Sequence, residues 1–142
     1  MKLQGGPEEV LKMLQMMADT EREKLMDSIA ARDPKLADYL KQNLIQFSDI
    51  LFLSTSQIRI LLTEVKAEWI GLACRKEGKE VLEYIAEQVS SGIKRDMMDT
   101  FNGPPQSMSK VEEAKKNVMT VMKKQIDEGA IYINRKGDDP LV

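Results

Sequence analysis

The sequence predicts an all-α fold, and three observations support that prediction. Apolar residues recur at intervals of three and four along most of the 142-residue chain, the spacing that places them on one face of a helix. Residues that favour helix starts precede these stretches, and glycine or proline often follows them. The predicted helices are mostly only two or three turns long and are separated by tight turns. These features together indicate a helical-repeat or irregular bundle architecture.

Three helix starts are marked in the first third of the chain. Pro7 follows a glycine pair and opens the first helix at a position where proline is favoured. Thr20 and Glu23 have the spacing of a capping box, which predicts the start of the second helix. Asp33 directly before Pro34 predicts the third start, with the aspartate as N-cap.

The amino-acid composition changes at residue 44, where a largely apolar segment begins. Leu44–Leu53 is nearly all apolar and carries two of the three phenylalanines, as expected of a buried connector or a hinge. The segment Ser54-Thr55-Ser56 is expected to cap the helix that follows. We therefore expect Leu44–Phe47 to join two separately packed helical units.

After this connector the sequence predicts further short helices and then one long helix. Residues 102–105, Asn-Gly-Pro-Pro, interrupt the helical pattern. Ser109 and Glu112 form a second capping-box pattern, which opens the longest helix, and Gly129 ends it. We expect a short strand-like tail over residues 130–133 and a disordered end over residues 135–140. Before the long helix, the predicted short helices are Ala67–Arg75, Lys79–Gln88 and Ser90–Phe101.

Composition limits the chemistry available to the chain. It contains no histidine, which excludes a Ser-His or Cys-His relay and a histidine zinc site. The single cysteine, Cys74, excludes an intramolecular disulfide and a CxxC metal site, and it favours a reducing cytoplasm. With 21 basic and 23 acidic residues, the chain is not built to bind nucleic acid. We expect no enzyme activity, no cofactor and no bound metal, and we expect a soluble intracellular protein because no apolar run approaches the ~20 residues of a membrane helix.

The motifs that remain are weak indicators of chemistry. Gly71–Lys79 has the wrong spacing for a phosphate-binding loop, and Glu80 stands where serine or threonine is required. The carboxylate pairs Glu112-Glu113 and Asp138-Asp139 lack the spacing of a metal loop and are better explained as solvated charge. Protein–protein recognition is the remaining class, because charges of both signs flank two consecutive helices. A solvated helix face would show the same pattern.

Several segments, taken in chain order, resemble the bacterial flagellar motor switch protein family FliG. Asp33–Ala37 is similar to the family's "DPELA", and Leu44–Ile50 to its "MFVFEDI". Gln57–Val65 resembles "SIQRLLREV", and Pro105–Ala114 resembles "PVRLSDVEEA". The last segment, Glu128–Ile131, is similar to the start of "EGEIVI". The resemblance therefore covers almost the entire chain.

The resemblance implies a fold, a function and a set of partners. The implied fold is an armadillo-like, helical-repeat subdomain over residues 1–42, a hinge over 43–53 and a six-helix C-terminal subdomain over 54–142. The implied function is that of a rotor and switch component, which transmits torque and takes part in reversing rotation. The implied partners are a FliM-type switch protein, a MotA-type stator protein and other FliG subunits in a homo-oligomeric ring. This assembly would lie in the cytoplasm, peripheral to the inner membrane at the flagellar basal body.

The resemblance also implies a charged contact with the stator protein. Arg75 stands where the family has a lysine, and Asp99 is the first of its paired acids. The family's other charges fall on the uncharged residues Gly92, Thr100 and Ser107. This leaves open an alternative, a divergent helical-repeat adaptor or paralogue that has lost stator contact. With neighbouring charges as displaced replacements, the contact candidates are Arg75, Lys94, Arg95, Asp96 and Asp99, and the hinge candidates are Leu44, Ile45, Gln46 and Phe47.

Overall fold

The computed structural model describes residues 6–135 as α-helices and one 3₁₀ helix joined by turns. No strand occurs in this range, so the predicted all-α class is confirmed. The chain divides into two compact units, with the boundary between Ile45 and Gln46. This boundary lies within the segment 43–53 that the resemblance assigns to a hinge.

From residue 6 onward, the first unit contains three α-helices around a small apolar core. Helix α1 spans Gly6–Met16, α2 spans Asp19–Arg32 and α3 spans Pro34–Asn43. As predicted, Asp33 caps α3, because its side chain accepts a hydrogen bond from the Leu36 N–H at 3.1 Å. Helix α3 packs against both other helices. The buried core of this unit consists of Val10, Leu14, Met26, Ile29, Ala37, Leu40 and Leu44.

The second unit begins with the 3₁₀ helix Phe47–Phe52 and continues with five α-helices. Helix α5 is the central element, because it packs extensively against α7 and α8 and also contacts α6. Its residues Ile70, Ala73 and Cys74 are completely buried. The α-helices of this unit are α4 (Thr55–Leu61), α5 (Ala67–Glu77), α6 (Lys79–Ala86), α7 (Ser91–Phe101) and α8 (Met108–Asp127).

Two predicted helix caps are wrong in position. Helix α2 begins before Thr20, and Ala18 occupies its N-cap position without a side-chain hydrogen bond. Helix α8 begins two residues earlier than the capping-box pattern indicates. Its N-cap is Ser107, which accepts a hydrogen bond from the Lys110 N–H at 3.3 Å, and Ser109 lies in the first turn. At α8 two serines lie two residues apart, and the local pattern does not select between them.

The predicted strand-like tail is also wrong. Residues 131–134 have no regular secondary structure, although Ile131 is 1% exposed and therefore anchored in the core. The predicted disordered end is wrong at Arg135, which forms an ion pair with Asp49. The rest of that prediction, residues 136–140, lies outside the described residues. Over residues 6–135, no helix combines the length and the apolar character needed to cross a membrane.

Candidate protein-interaction surface

Four of the five predicted contact residues lie on α7, and all four are exposed: Lys94, Arg95, Asp96 and Asp99. None of their charged groups is paired with another residue in the described part of the chain. The helix therefore presents two cations and two anions to solvent. A mixed charge pattern of this kind sets the specificity and the rate of protein association more than its affinity.

Helix α7 is held by its cap and by close packing of its inner side. The Ser90 hydroxyl accepts a hydrogen bond from the Ile93 N–H at 3.4 Å and caps the helix. On the inner side, Met97 is completely buried. Gly71 of α5 lies against the same turn, where a Cβ atom would come within 2.3 Å of the Met97 carbonyl oxygen. The absence of a side chain at Gly71 therefore lets α5 and α7 approach closely.

The fifth candidate, Arg75, lies on α5 and is partly buried. Its guanidinium donates hydrogen bonds to the Thr100 carbonyl, from Nε at 3.1 Å and from Nη2 at 2.6 Å. Nη1 donates a third, to the Pro104 carbonyl at 2.7 Å. Arg75 is thus bound to the C-terminal end of α7 and to the turn that follows, unlike the four exposed charges.

Two neighbouring cations are also engaged within the second unit. Lys76 forms an ion pair with Glu112, which links α5 to α8. The ammonium of Lys79 lies 5.9 Å from the centre of the Phe101 ring, within range of a cation–π interaction. These two lysines therefore have identified contacts inside the unit, whereas the charges of α7 do not.

The three positions at which the chain lacks the family's charges differ in their surroundings. Gly92 is exposed on α7, and a Cβ atom there would meet nothing within 4 Å. The Thr100 hydroxyl donates to the Asp96 carbonyl at 2.9 Å, and Ser107 caps α8. Thr100 and Ser107 therefore have local structural roles, while Gly92 leaves open space on the charged helix.

The hinge candidates are held by a side chain of their own unit on each side of the boundary. In the first unit, Gln15 donates from Nε2 to the Ile45 carbonyl at 2.8 Å and accepts from the Ile45 N–H at 2.9 Å. In the second unit, the Gln46 N–H donates to Asp49 Oδ2 at 2.7 Å. Leu44 belongs to the core of the first unit, and Phe47 is buried at the start of the 3₁₀ helix.

Sequence reasoning missed the ion pair between Asp49 and Arg135, which are 86 residues apart in the chain. Arg135 donates from Nε to Oδ1 at 2.9 Å and from Nη2 to Oδ2 at 2.7 Å. The Asp49 side chain is only 5% exposed, and its hydrogen bonds to the guanidinium raise the pKa of Arg135. The available signal was an aspartate within an apolar segment, because a buried carboxylate requires a partner.

Within residues 6–135, no three His, Cys, Asp or Glu side chains are grouped so that they could hold a metal ion. Cys74 is completely buried, and this burial raises its thiol pKa to about 12. A thiol in that state is a poor nucleophile. The exposed charges of α7 are therefore the candidate site, and they are suited to binding rather than to covalent chemistry.

Comparison with known proteins identifies the family. A model described as the FliG C-terminal domain matches residues 27–133, which is most of the chain. The chain belongs to the FliG C-terminal domain family. The match includes α3, the boundary at residues 45 and 46, and every helix of the second unit.

Similar curated proteins carry the name flagellar motor switch protein FliG. The one from Thermotoga maritima is 27% identical over 141 residues, which cover 97% of this chain and 42% of that protein. The one from Borreliella burgdorferi is 29% identical over 143 residues, covering 97% and 40% respectively. This chain of the FliG C-terminal domain family thus spans about two fifths of the length of these relatives.

Solved FliG structures have a similar fold. A crystal structure of FliG residues 86–343 from H. pylori superposes with a TM-score of 0.63 at 20% identity, covering 92% of this chain and 62% of that one. The full-length FliG from Aquifex aeolicus has a TM-score of 0.55 at 25% identity, covering 91% and 40%. At 20% identity the H. pylori comparison concerns the fold alone.

Proposed function

We propose that this chain belongs to a rotor and switch component of the flagellar motor, and that it acts by binding proteins rather than by catalysis. Its membership of the FliG C-terminal domain family supports this role. The observation that carries the proposal is the exposed set of charges on α7, which pair with no other residue among those that the structure describes. Exposed ion pairs contribute only ~0.2–1 kcal/mol each, so a contact of this type needs several charges acting together.

The α7 charges would contact a MotA-type stator protein and transmit torque. The remaining partners in this proposal are a FliM-type switch protein and other FliG subunits, which together form a ring. The ring lies in the cytoplasm, peripheral to the inner membrane at the flagellar basal body. Interspersed charges of both signs favour such a contact, because they oppose mismatched partners and leave correct pairs attractive.

We also propose that the hinge comprises Leu44, Ile45, Gln46 and Phe47, between a helical-repeat subdomain (1–42) and a torque subdomain (54–142). The bonds from Gln15 and Asp49 hold the backbone on either side of the Ile45–Gln46 peptide. Rotation is then concentrated in the few backbone dihedrals at that junction, as is usual for hinges. Gln15→Leu removes both bonds to Ile45 and is expected to change the fraction of time spent in clockwise rotation.

The experiment that tests the motor role is deletion of the gene followed by charge reversal on α7. Deletion is expected to abolish swimming, and the double variant Lys94→Glu/Arg95→Glu is expected to lower the torque on a tethered bead. Lys116→Glu is the control reversal, because Lys116 is exposed on α8 and is not one of the four charged residues of α7. Normal swimming after deletion would reject the motor role. Equal effects of the α7 and α8 reversals would reject the specific contribution of α7.

The uncharged residues at the family's charged positions support a second candidate, an adaptor or paralogue without stator contact. Gly92 allows a direct test, because a side chain there meets open space. Under the stator-contact proposal, Gly92→Arg adds a cation to a working surface and is expected to change torque, whereas Gly92→Ala is not. If Gly92→Arg has no effect and deletion leaves flagella turning, the adaptor function is preferred.

A further inference from the structure

The side chain of Arg75 has three hydrogen bonds, and all of them go to backbone carbonyls at the C-terminal end of α7 or in the turn that follows it. Nε and Nη2 both donate to the Thr100 carbonyl, and Nη1 donates to the Pro104 carbonyl. The last carbonyls of a helix have no partner within the helix and carry partial negative charge. Arg75 supplies both a donor and a cation at that point.

The arrangement depends on the shape of the guanidinium. A guanidinium has five donors in a rigid plane, so one side chain can bind two carbonyls four residues apart in sequence. An ammonium is a compact donor on a flexible stem, and it does not reproduce that fork. Arginine and lysine would carry the same charge at this position, but only arginine can donate to both carbonyls at once in this geometry.

Two glycines make room for this contact. Gly71, one turn before Arg75 on α5, allows the close approach to α7 at Met97. At Gly103, in the turn after α7, a Cβ atom would lie 3.2 Å from Arg75 Nη2. The turn is further tied to the helix because the Asn102 N–H donates to the Met98 carbonyl at 2.9 Å. The guanidinium therefore occupies a closely packed position between α5 and the end of α7.

We propose that Arg75 is a positioning residue, which fixes the C-terminal end of α7 and the turn at residues 102–104 and does not itself meet the partner. The consequence for binding rests on the function proposed above. Through this contact, Arg75 sets the position and the rigidity of the end of the charged face, including Asp99. Its own charge is satisfied by carbonyls instead of by a partner protein.

The test compares substitutions that keep the charge with substitutions that remove it. Arg75→Lys keeps the charge and loses the fork, and Arg75→Gln loses both. If Arg75 positions α7, both variants are expected to lower motor torque, and the charge retained in Arg75→Lys is not expected to restore it. At Arg95, which is exposed on α7, Arg95→Lys is expected to lower torque less than Arg95→Gln does, because an exposed contact depends on the charge and not on the fork.

A second readout on the purified full chain does not depend on motor function. Amide hydrogen exchange at Asn102 and Gly103 is expected to become about tenfold faster or more in both Arg75 variants, because charge-assisted bonds that hold the turn are lost. The Arg95 variants are expected to leave these rates unchanged. Circular dichroism verifies that each variant remains helical.

Retained torque in Arg75→Lys, with loss only in Arg75→Gln, would show that Arg75 acts through its charge and would overturn the proposal. Unchanged exchange at Asn102 and Gly103 would also overturn it. If gene deletion leaves swimming normal, the proposed motor function fails. The exchange measurement then still decides whether Arg75 holds the end of α7.

Discussion

The ion pair between Asp49 and Arg135 provides the sharpest test of how the second unit is held together. Arg135→Gln removes the cation and leaves a shorter, uncharged polar side chain. In the native structure the Asp49 carboxylate is only 5% exposed, and its other identified donor is the Gln46 N–H at 2.7 Å. The variant therefore leaves a buried charge whose principal partner is missing.

The size of the effect follows from the exposure of the two side chains. Breaking a fully buried pair costs about 3–5 kcal/mol, and losing a fully exposed one costs ~0.2–1 kcal/mol. Asp49 is buried, but Arg135 is 28% exposed. We therefore expect Arg135→Gln to lower the free energy of unfolding by about 2–3 kcal/mol, between those limits.

Substitution of the other partner, Asp49→Asn, is expected to lower the free energy of unfolding by less. In Asp49→Asn the remaining arginine can turn its head group towards water, and the asparagine oxygen can still accept from the Gln46 N–H. We expect a loss of about 1–2 kcal/mol, close to that of one hydrogen bond to a charged group. The double variant should then show a coupling energy of about 1.5 kcal/mol.

The assay is urea or thermal unfolding followed by fluorescence of Trp69, the single tryptophan of the chain. Trp69 lies in α5, so its signal reports on the second unit even if the two units unfold separately. The expected decrease in melting temperature for Arg135→Gln is on the order of 10 °C. Lys123→Gln is the control, because its i,i+4 pair with Asp127 is exposed and should change stability by less than ~0.5 kcal/mol.

Two results would refute this reasoning. A coupling energy below ~0.5 kcal/mol would mean that the residues do not interact significantly in solution. A larger loss from Asp49→Asn than from Arg135→Gln would mean that burial of the carboxylate is not the main cost.

Three further predictions concern other parts of the second unit. Gly71→Ala should destabilise this unit by about 1–3 kcal/mol, because a Cβ atom would meet the backbone of α7. Gly92→Ala should instead stabilise it by about 0.5–1 kcal/mol, because alanine favours the helix and its Cβ meets open space. Urea unfolding of both variants tests the contrast, and equal effects would contradict it. Cys74 should react with a thiol reagent at pH 8 only as fast as the unit opens, because burial raises its pKa to about 12; labelling at the rate of a free thiol in the folded protein would contradict this. The hydrogen bond from Lys124 lowers the pKa of Glu64 from its ordinary value, so the stabilising contribution of this carboxylate is present above the ordinary pKa and is lost as the pH falls through the lowered one; the difference in stability between the native chain and Glu64→Gln should therefore shrink as the pH falls through the lowered pKa, and an unchanged difference would refute the coupling.

The sequence predicted most of the helices because their signals are local. Asp33 before Pro34 marked the start of α3, and its side chain does cap that helix. The predicted capping segment Ser54-Thr55-Ser56 does precede α4, and Ser54 is the residue that caps it, in a reciprocal capping box with Gln57. The error at α8 arose because the same local signal occurs twice, at Ser107 and Ser109, and only packing decides which hydroxyl stands at the helix start.

The candidate surface was predictable in part. Arg95 and Asp99 are two residues from Met97, the buried residue of α7, so helical spacing places them on the opposite side of the helix. Arg75 could not be separated from these charges by pattern, because a cation near a helix end has the same sequence signature whether it is solvated or bound. Its contact with the Thr100 carbonyl spans 25 residues and exists because α5 and α7 pack closely at Gly71.

By itself, the sequence determined the all-α class, the main helix boundaries, the absence of histidine chemistry and the resemblance to FliG. Hydrophobic periodicity and helix caps depend on residues a few positions apart and can therefore be predicted from the sequence. The tertiary structure alone decided which charged groups are held inside the fold. Arg75 and Arg135 are held by groups distant in sequence, whereas the charges of α7 remain open to solvent. The physical reason is that a buried charge requires a partner, and tertiary packing rather than local sequence spacing determines which residue lies close enough to pair with it.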